Sequence, residues 1–436
     1  MIFKILGILA MLINLMDASQ KADYAQEIKG LELNTRHEKN AVAATPFPYL
    51  VNEDLIRSIN KKFENLIHIL TKVSTAYKSD TKIQNYFNLD QRVHKLLLES
   101  RPADNIFLGR FDFTINDKLT PKIYEFNTAA PAGLVISKEI YNQQVHLNIF
   151  KMLFANRSYQ LLPFAHLTSD VFFEMAKAKK ADMKHIAFIN SKFQTMTTEL
   201  NELKNEFERH GIKASVSHLE DLDINAEELI LNGEKVDTVF IKIDINILDN
   251  FEAPLTKEKK YQDFLIECQN QNSLTVLNDF YSYWLIDNKS TLSFLLDEDF
   301  HYLFTAEEKA LLHEVLPETL KTNTLSHEQL LHVCEKKNQF VLKRSHDTRG
   351  RNVFVGLDSS VDEWEKRLKA SVKSGDYILQ EYISPLQHTH ENTTYYTTFA
   401  NYLMNGQSKG WISRTSPQKI TNVGQGGMMQ TVLGYR

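Results

Sequence analysis

The chain has 436 residues, 43% of them hydrophobic and 24% charged, with a formal net charge of -5. That length implies two or three modules sharing extended cores, and the ordinary apolar and charged fractions exclude a disordered or fibrous chain. The slightly acidic balance gives no bulk electrostatic case for a nucleic-acid partner, and Cys268 and Cys334, far apart in sequence, form neither a zinc-ligand pattern nor a disulfide framework and read as reduced thiols.

Lys4 precedes an apolar run over residues 5–16, and Ala18 follows it. This is the layout of a secretory signal, and the run is too short to span a membrane. It also fits a helix packed on the body, or an upstream extension with Met11 or Met16 as the working start. From 52 to about 100 the apolar spacing is helical, with Leu55, Ile59, Phe63, Leu66, Ile67 and Leu70 as core positions. Residues 106–113 and 121–127 are predicted as a strand hairpin turning at Asn116-Asp117. The spacing predicts a helix over 136–155. A new pattern begins near Lys184: a buried strand at 185–189, a helix at 198–210 and strands at 213–217 and 236–241. That order argues a βαβ unit and a small parallel sheet, with Gly211 as the helix C-cap. Residues 305–337 are predicted helical, followed by strands at 340–343, 352–356 and 377–380. There is no internal repeat and no long low-complexity linker.

Five segments carry candidate chemistry. In Lys122-Ile123-Tyr124-Glu125-Phe126-Asn127-Thr128, residues two apart on a strand share a face, so Glu125 and Asn127 project together. Hard cations such as magnesium take oxygen ligands of this kind, with phosphate completing the set. In the second, a strand delivers Lys343 into the polar loop Arg344-Ser345-His346-Asp347-Thr348-Arg349-Gly350-Arg351-Asn352. Lys343 offers a point charge to a phosphate, Gly350 allows backbone N–H groups onto phosphate oxygens, and Asp347 adds a second carboxylate near a metal. The same stretch also fits a charged hairpin turn; it is neither a Walker loop nor a Rossmann fingerprint. In the third, Gln380-Glu381 ends a buried strand and can meet an adenine edge and a ribose hydroxyl, or is an ordinary polar strand end. In the fourth, Arg414 has the planar fork suited to a carboxylate, and Gly424, Gly426 and Gly427 permit close backbone approach, or these are a surface arginine and a turn. Lys289, at the start of a helical pattern, is the fifth, and taken by itself it reads as a solvated helix lysine.

The order and spacing of these segments resemble the eukaryotic-type glutathione synthetase, a circularly permuted ATP-grasp ligase, from about Pro46 to the C-terminus. The strongest part runs from Arg110-Phe111-Asp112-Phe113 through Glu125-Phe126-Asn127-Thr128 and the small residues up to Gly133. Phe340-Val341-Leu342-Lys343 looks like the family's phosphate-binding strand, Tyr377 to Glu381 its adenine-binding strand, and Ile412 to Thr415 with Gly426-Gly427 its substrate segment and double-glycine loop. The resemblance implies an α/β chain, α+β overall, with an ATP-grasp nucleotide-binding fold and an inserted βαβ substrate module. Its divisions would be an N-terminal extension at 1–45, a helical part with the first ATP-grasp segment at 46–180, the α/β module at 181–285 and the second ATP-grasp segment at 286–436.

The resemblance further implies ATP and magnesium, with Glu125, Asn127 and Asp347 holding the metal; the family has Glu where Asp347 stands. Lys289 and Lys343 would bind phosphates, Asn352 would lie over them, and Gln380 and Glu381 would hold adenine and ribose. Arg110 would grip the acceptor and Arg414 a terminal carboxylate. The implied reaction is ATP-dependent carboxylate–amine ligation through an acyl phosphate, with Arg110, Lys343 and Arg414 acting on reacting groups and the 344–351 and 423–428 loops as lids. The partners implied are a small carboxylic acid and an amine, with no nucleic acid and no integral membrane span; a homodimer matches the family habit. Cytosolic ATP favours a cytoplasmic location, while the signal-like start leaves export open. Two departures matter. Thr348-Arg349-Gly350 replaces three successive glycines, and Phe240-Ile241-Lys242 stands where the family uses an arginine to recognise γ-glutamylcysteine. The acceptor is therefore open, and another amino-acid or polyamine ligase, as in glutathionylspermidine synthetase, or a nucleotide- or peptide-binding protein without ligation, stands beside the main expectation.

Overall fold

The computed structural model describes residues 34–37, 40–45, 48–102, 105–129, 131–148, 151, 155, 161–162, 169–191, 197–224, 228–242, 274–347, 350–390, 393–423 and 426–435. The signal-like run and Cys268 lie outside these residues. The fold is mixed α/β. Its main sheets are an eight-stranded sheet, a four-stranded antiparallel sheet and a four-stranded parallel sheet.

The expected helical stretch after Asn52 is a helix over Glu53–Tyr77, then Thr81–Phe87 and Gln91–Glu99. Asn52 caps the first, its side-chain oxygen accepting from the Asp54 backbone N–H at 3.0 Å. Ile56, Ile59, Phe63, Leu66, Ile67, Leu70 and Val73 recur at helical spacing and are all buried. Leu55, expected in the core, is only half-buried at its margin. Phe63 meets Phe111 and Phe113 edge-on, at centroid distances of 5.6 and 5.0 Å, which lays this helix across the eight-stranded sheet.

With Leu386–His390 paired to Thr393–Met404 and Leu161–Leu162 paired to Met428–Tyr435 off the main path, that sheet runs in the order Tyr49–Asn52, Met428–Tyr435, Gln407–Ser416, Thr393–Met404, Leu108–Ile115, Pro121–Asn127. Its last two strands are the predicted hairpin. The sequence pattern predicts nothing beyond residue 380, yet three long strands follow there, and they place Arg414 in the centre of the sheet.

In the antiparallel sheet the order is Thr319–Lys321, Tyr377–Glu381, Phe340–Arg344, Val353–Val355. The helix predicted over 305–337 is corrected: it stops at Val315, the strand Thr319–Lys321 follows, and a new helix runs His327–Glu335. Pro317 lacks the N–H needed to continue the first helix. Leu342 and Leu379 pack with Trp364, Leu368 and Val333 under the helices Val361–Ser374 and His327–Glu335. Alternation then sends Lys343 and Gln380 to the opposite face.

The parallel sheet has the order Thr275–Val276, Thr238–Ile241, His185–Asn190, Lys213–His218, with the helix Thr197–Arg209 as a crossover. Gly211 takes the left-handed conformation at φ +73° expected of the C-cap. The helix predicted over 136–155 is Leu134–Gln144.

Candidate functional site

The hairpin supplies the platform. Arg110 lies opposite Asn127 and Asp112 opposite Glu125, so all four side chains share one face. The register continues outward: Tyr402 stands beside Arg110, Ala400 beside Asp112, and Arg414 beside Thr398. Four neighbouring strands thus put Asn127, Glu125, Arg110, Asp112, Tyr402 and Arg414 on one surface.

Lys289 enters from the N-terminus of the helix Ser290–Leu296, next to a π-helical turn over Ser282–Ile286. Its Nζ sits 2.7 Å from Glu125 Oε1 and donates to the Asp347 carbonyl at 2.6 Å. Its backbone N–H donates to the Ser345 carbonyl at 2.9 Å. One ammonium thereby joins the hairpin to the loop after Phe340–Arg344. Burial works against the charge on Lys289, but Glu125 more than offsets it and holds the pKa above the ordinary lysine value. Asp287, beside it, accepts from the backbone N–H groups of Thr128 and Ala129 at 2.6 and 2.8 Å. Burial pushes its carboxyl up to about 6. Nothing in the sequence singles out Asp287, apart from its place two residues before Lys289.

Lys343 and Gln380 are diagonal neighbours, both buried, on the face of the antiparallel sheet away from Leu342 and Leu379, and Lys343 Nζ donates to Gln380 Oε1 at 2.6 Å. It also donates to the Tyr124 carbonyl at 3.2 Å, which ties this sheet to the hairpin. Burial lowers its pKa to about 8; Glu125 opposes the shift and Lys289 adds to it. The Gln380 amide nitrogen donates to Thr319 Oγ1 at 3.2 Å. Glu381 is exposed at the strand end, where its backbone N–H donates to the Glu318 carbonyl at 2.8 Å. Asn352, left-handed at φ +50°, donates to Asp347 Oδ2 at 2.6 Å, and Arg351 Nε lies 3.4 Å from Asp347 Oδ1. Thr348, Arg349, Gly424 and Gln425 lie outside the described residues. His346, half-buried, accepts from Asn288 Nδ2 at 2.7 Å, and desolvation of the ring pushes its imidazole down to about 4.

The two arginines meet on Asp112, which lies within the motif that carries the resemblance but has no role assigned by it. Arg110 Nε and Nη2 donate to the two oxygens of Asp112 at 2.8 and 3.0 Å, and Arg414 Nη2 lies 2.7 Å from Asp112 Oδ2. Burial alone would raise the Asp112 carboxyl; the two guanidiniums more than offset this and hold it below the usual carboxylate range. The alternation Arg110-x-Asp112 on a predicted strand is the signal for the first of these contacts.

On the parallel-sheet side, Lys242 Nζ pairs with Glu199 Oε1 at 2.7 Å, both buried, and donates to the Pro131 carbonyl at 3.2 Å. Glu199 Oε2 accepts from the Gly133 N–H at 2.9 Å. Lys242 follows Thr238–Ile241 and Asn190 ends His185–Asn190; these adjacent strands flank the point where strand order reverses, the usual ligand crevice of open parallel sheets. Asn190 is fully buried, and neither of its amide atoms has a hydrogen-bond partner among the described residues.

The donor set fits a hard divalent cation in kind. Glu125 and Asp347 are carboxylates. Asn127 spends its amide nitrogen on the Arg110 carbonyl at 3.4 Å, leaving Oδ1 available as a neutral oxygen ligand. Among the described residues there is no cluster of three or more His, Cys, Asp or Glu able to hold a metal by itself, so phosphate oxygens would have to complete the coordination.

The family model described as glutathionylspermidine synthase preATP-grasp matches residues 15–425. In fold the chain is similar to a solved glutathione synthetase-like effector, GSS30 from Globodera pallida in its apo form. The two are 13% identical, with 95% of this chain and 96% of that chain covered and a TM-score of 0.58. D-cycloserine synthetase DcsG is 14% identical over 53% of this chain and 67% of its own, at a TM-score of 0.31, too slight a likeness to bear on the fold. No curated protein matches the chain. The glutathione synthetase-like resemblance carried by the motifs therefore holds, and the chain belongs to the glutathionylspermidine synthase preATP-grasp family.

Proposed function

We propose that the protein is an ATP-dependent carboxylate–amine ligase. The observation that carries this is the position of Lys289, which holds Glu125 of the hairpin and Asp347 of the polar loop within reach of one ammonium. Lys343 reaches the same hairpin from the antiparallel sheet. Two lysines and two acidic residues, drawn from distant segments, suit a triphosphate and its cation.

A carboxylate oxygen attacks the γ-phosphorus of ATP, ADP leaves, and an acyl phosphate results. The amine nitrogen then attacks the acyl carbon, phosphate leaves, and the nitrogen loses its proton to give an amide. Glu125, Asn127 and Asp347 would hold magnesium, which when bound would neutralise phosphate charge. Lys289 and Lys343 bind the phosphates, while Gln380 and Glu381 receive adenine and ribose. Arg414 orients a substrate carboxylate, and Arg110, fixed on Asp112, faces the anionic charge that develops as the amine attacks. No side-chain nucleophile is required. Positioning by rigid strands does most of the work.

The test is ADP and phosphate release with magnesium over a panel of acids and amines, with product mass by spectrometry. Turnover that Glu125→Ala abolishes supports the reading. Tight ATP binding with no turnover across the panel replaces it with a non-catalytic nucleotide-binding protein.

A further inference from the structure

Asp112 serves two masters. Its Oδ2 receives Arg110 Nη2 at 3.0 Å and Arg414 Nη2 at 2.7 Å, while Oδ1 receives Arg110 Nε at 2.8 Å. Arg110 is otherwise engaged on the Ala132 carbonyl at 3.1 Å. Arg414 touches Asp112 through one nitrogen, and its other guanidinium donors have no partner among the described residues. The contact spans a whole strand: Ala400 lies between Asp112 and Ile412, and its small side chain lets Arg414 extend over it. Glu125, the next carboxylate on this face, is held by Lys289. Two largely buried guanidiniums thus share one carboxylate. A single arginine would satisfy Asp112; the second leaves a positive charge in a desolvated place, which is costly unless an anion joins it.

We propose that Asp112 is a built-in counterion that sets the ligand charge this site accepts, leaving Arg110 and Arg414 one net positive charge matched to a single substrate carboxylate. Asp112 is a positioning and specificity residue: it aims Arg414 and keeps a second carboxylate out. That the carboxylate belongs to a ligation substrate rests on the proposed function; the charge selection itself does not.

The experiment is a ligand-detected NMR titration with propionate, succinate and propionamide, which requires no turnover. Wild type is expected to prefer propionate to propionamide and to gain nothing from succinate's second carboxylate. Asp112→Asn should bind succinate about tenfold tighter relative to propionate, the scale of one added charge-assisted hydrogen bond. The double variant Asp112→Asn with Arg414→Gln should return that ratio to the wild-type value. Arg414→Gln alone keeps the Arg110–Asp112 pair intact, so it tests the idea even if Asp112→Asn does not fold; it should lose the preference for propionate over propionamide. An unchanged succinate-to-propionate ratio in folded Asp112→Asn, or a retained propionate preference in Arg414→Gln, overturns the proposal. Absence of ADP release with these binding preferences intact would remove the ligase reading and leave this one standing.

Discussion

Lys289 and Glu125 form a 2.7 Å ion pair in which the lysine side chain is 4% exposed and the glutamate 27%. The cation is the buried partner, and the carboxylate looks outward. Such an arrangement keeps Lys289 charged while leaving Glu125 an oxygen for another ligand.

Glu125→Gln keeps the shape of that side chain and removes its charge. ADP release should fall about a hundredfold or more, the scale seen when one electrostatic contact to the reacting groups is lost. Steady-state kinetics at saturating magnesium, with a thermal melt to confirm folding, is the check. A variant within a factor of about two of wild type would be incompatible with the proposed metal site.

Lys343 carries a pH signature. Its pKa in the fold is about 8, below the ordinary 10.5, because burial disfavours the charge. The charged form therefore costs stability in the free protein below about 8, and that cost fades as pH rises from about 8 towards 10.5. Nucleotide phosphates need the charged form, so affinity for a non-hydrolysable ATP analogue should decline as pH passes through about 8. Lys343→Met should bind the analogue more weakly at neutral pH, by about 1.5–3 kcal/mol, and show no such step. Calorimetric titration across that range measures both.

Asp287 has the opposite sign of shift for an acid, raised to about 6 from 3.8 by burial. Between those values the folded protein holds a proton that the unfolded chain has released. This group's contribution to stability therefore decreases as pH rises from about 4 to about 6 and is level above that. Asp287→Asn should remove the decrease. The difference between wild-type and variant melting curves over that window isolates it from other carboxylates.

Asn190 offers a packing test. Two buried amide atoms with no partner among the described residues each carry a desolvation cost. Asn190→Leu, close in volume, should raise unfolding stability by about 1 kcal/mol in a denaturant melt. A loss of stability would mean that the amide has partners in solution.

The sequence was informative where one local pattern determined one local outcome. Alternation placed Glu125 and Asn127 on one face, and the βαβ spacing yielded the parallel sheet. The pattern was weakest over 393–416, where Thr, Tyr and Asn occupy both faces of the strands and period-two contrast fades. One readable signal was there: Asn405-Gly406 at φ +46° and +76° is the tight-turn pair that closes this hairpin. The strand Thr319–Lys321 was hidden because three residues between two helices show no period of their own. Asp112 stands in the motif, but its role escaped because half of it depends on Arg414, which reaches it across an intervening strand.

Ala129 and residues 131–133, just after the hairpin, are gripped from both sides. Asn278 of the parallel-sheet side donates to the Ala129 carbonyl at 2.8 Å, Lys242 takes Pro131, and Glu199 takes Gly133. From the other sheet, Arg110 and Tyr402 converge on the Ala132 carbonyl at 3.1 and 2.9 Å. Contacts from both sheets thus converge on this one stretch, and any coupling carried through it would be reciprocal. A chimera that borrows its parallel sheet from a relative would need to import this buckle with it, or the transplanted half would sit out of step with Arg110.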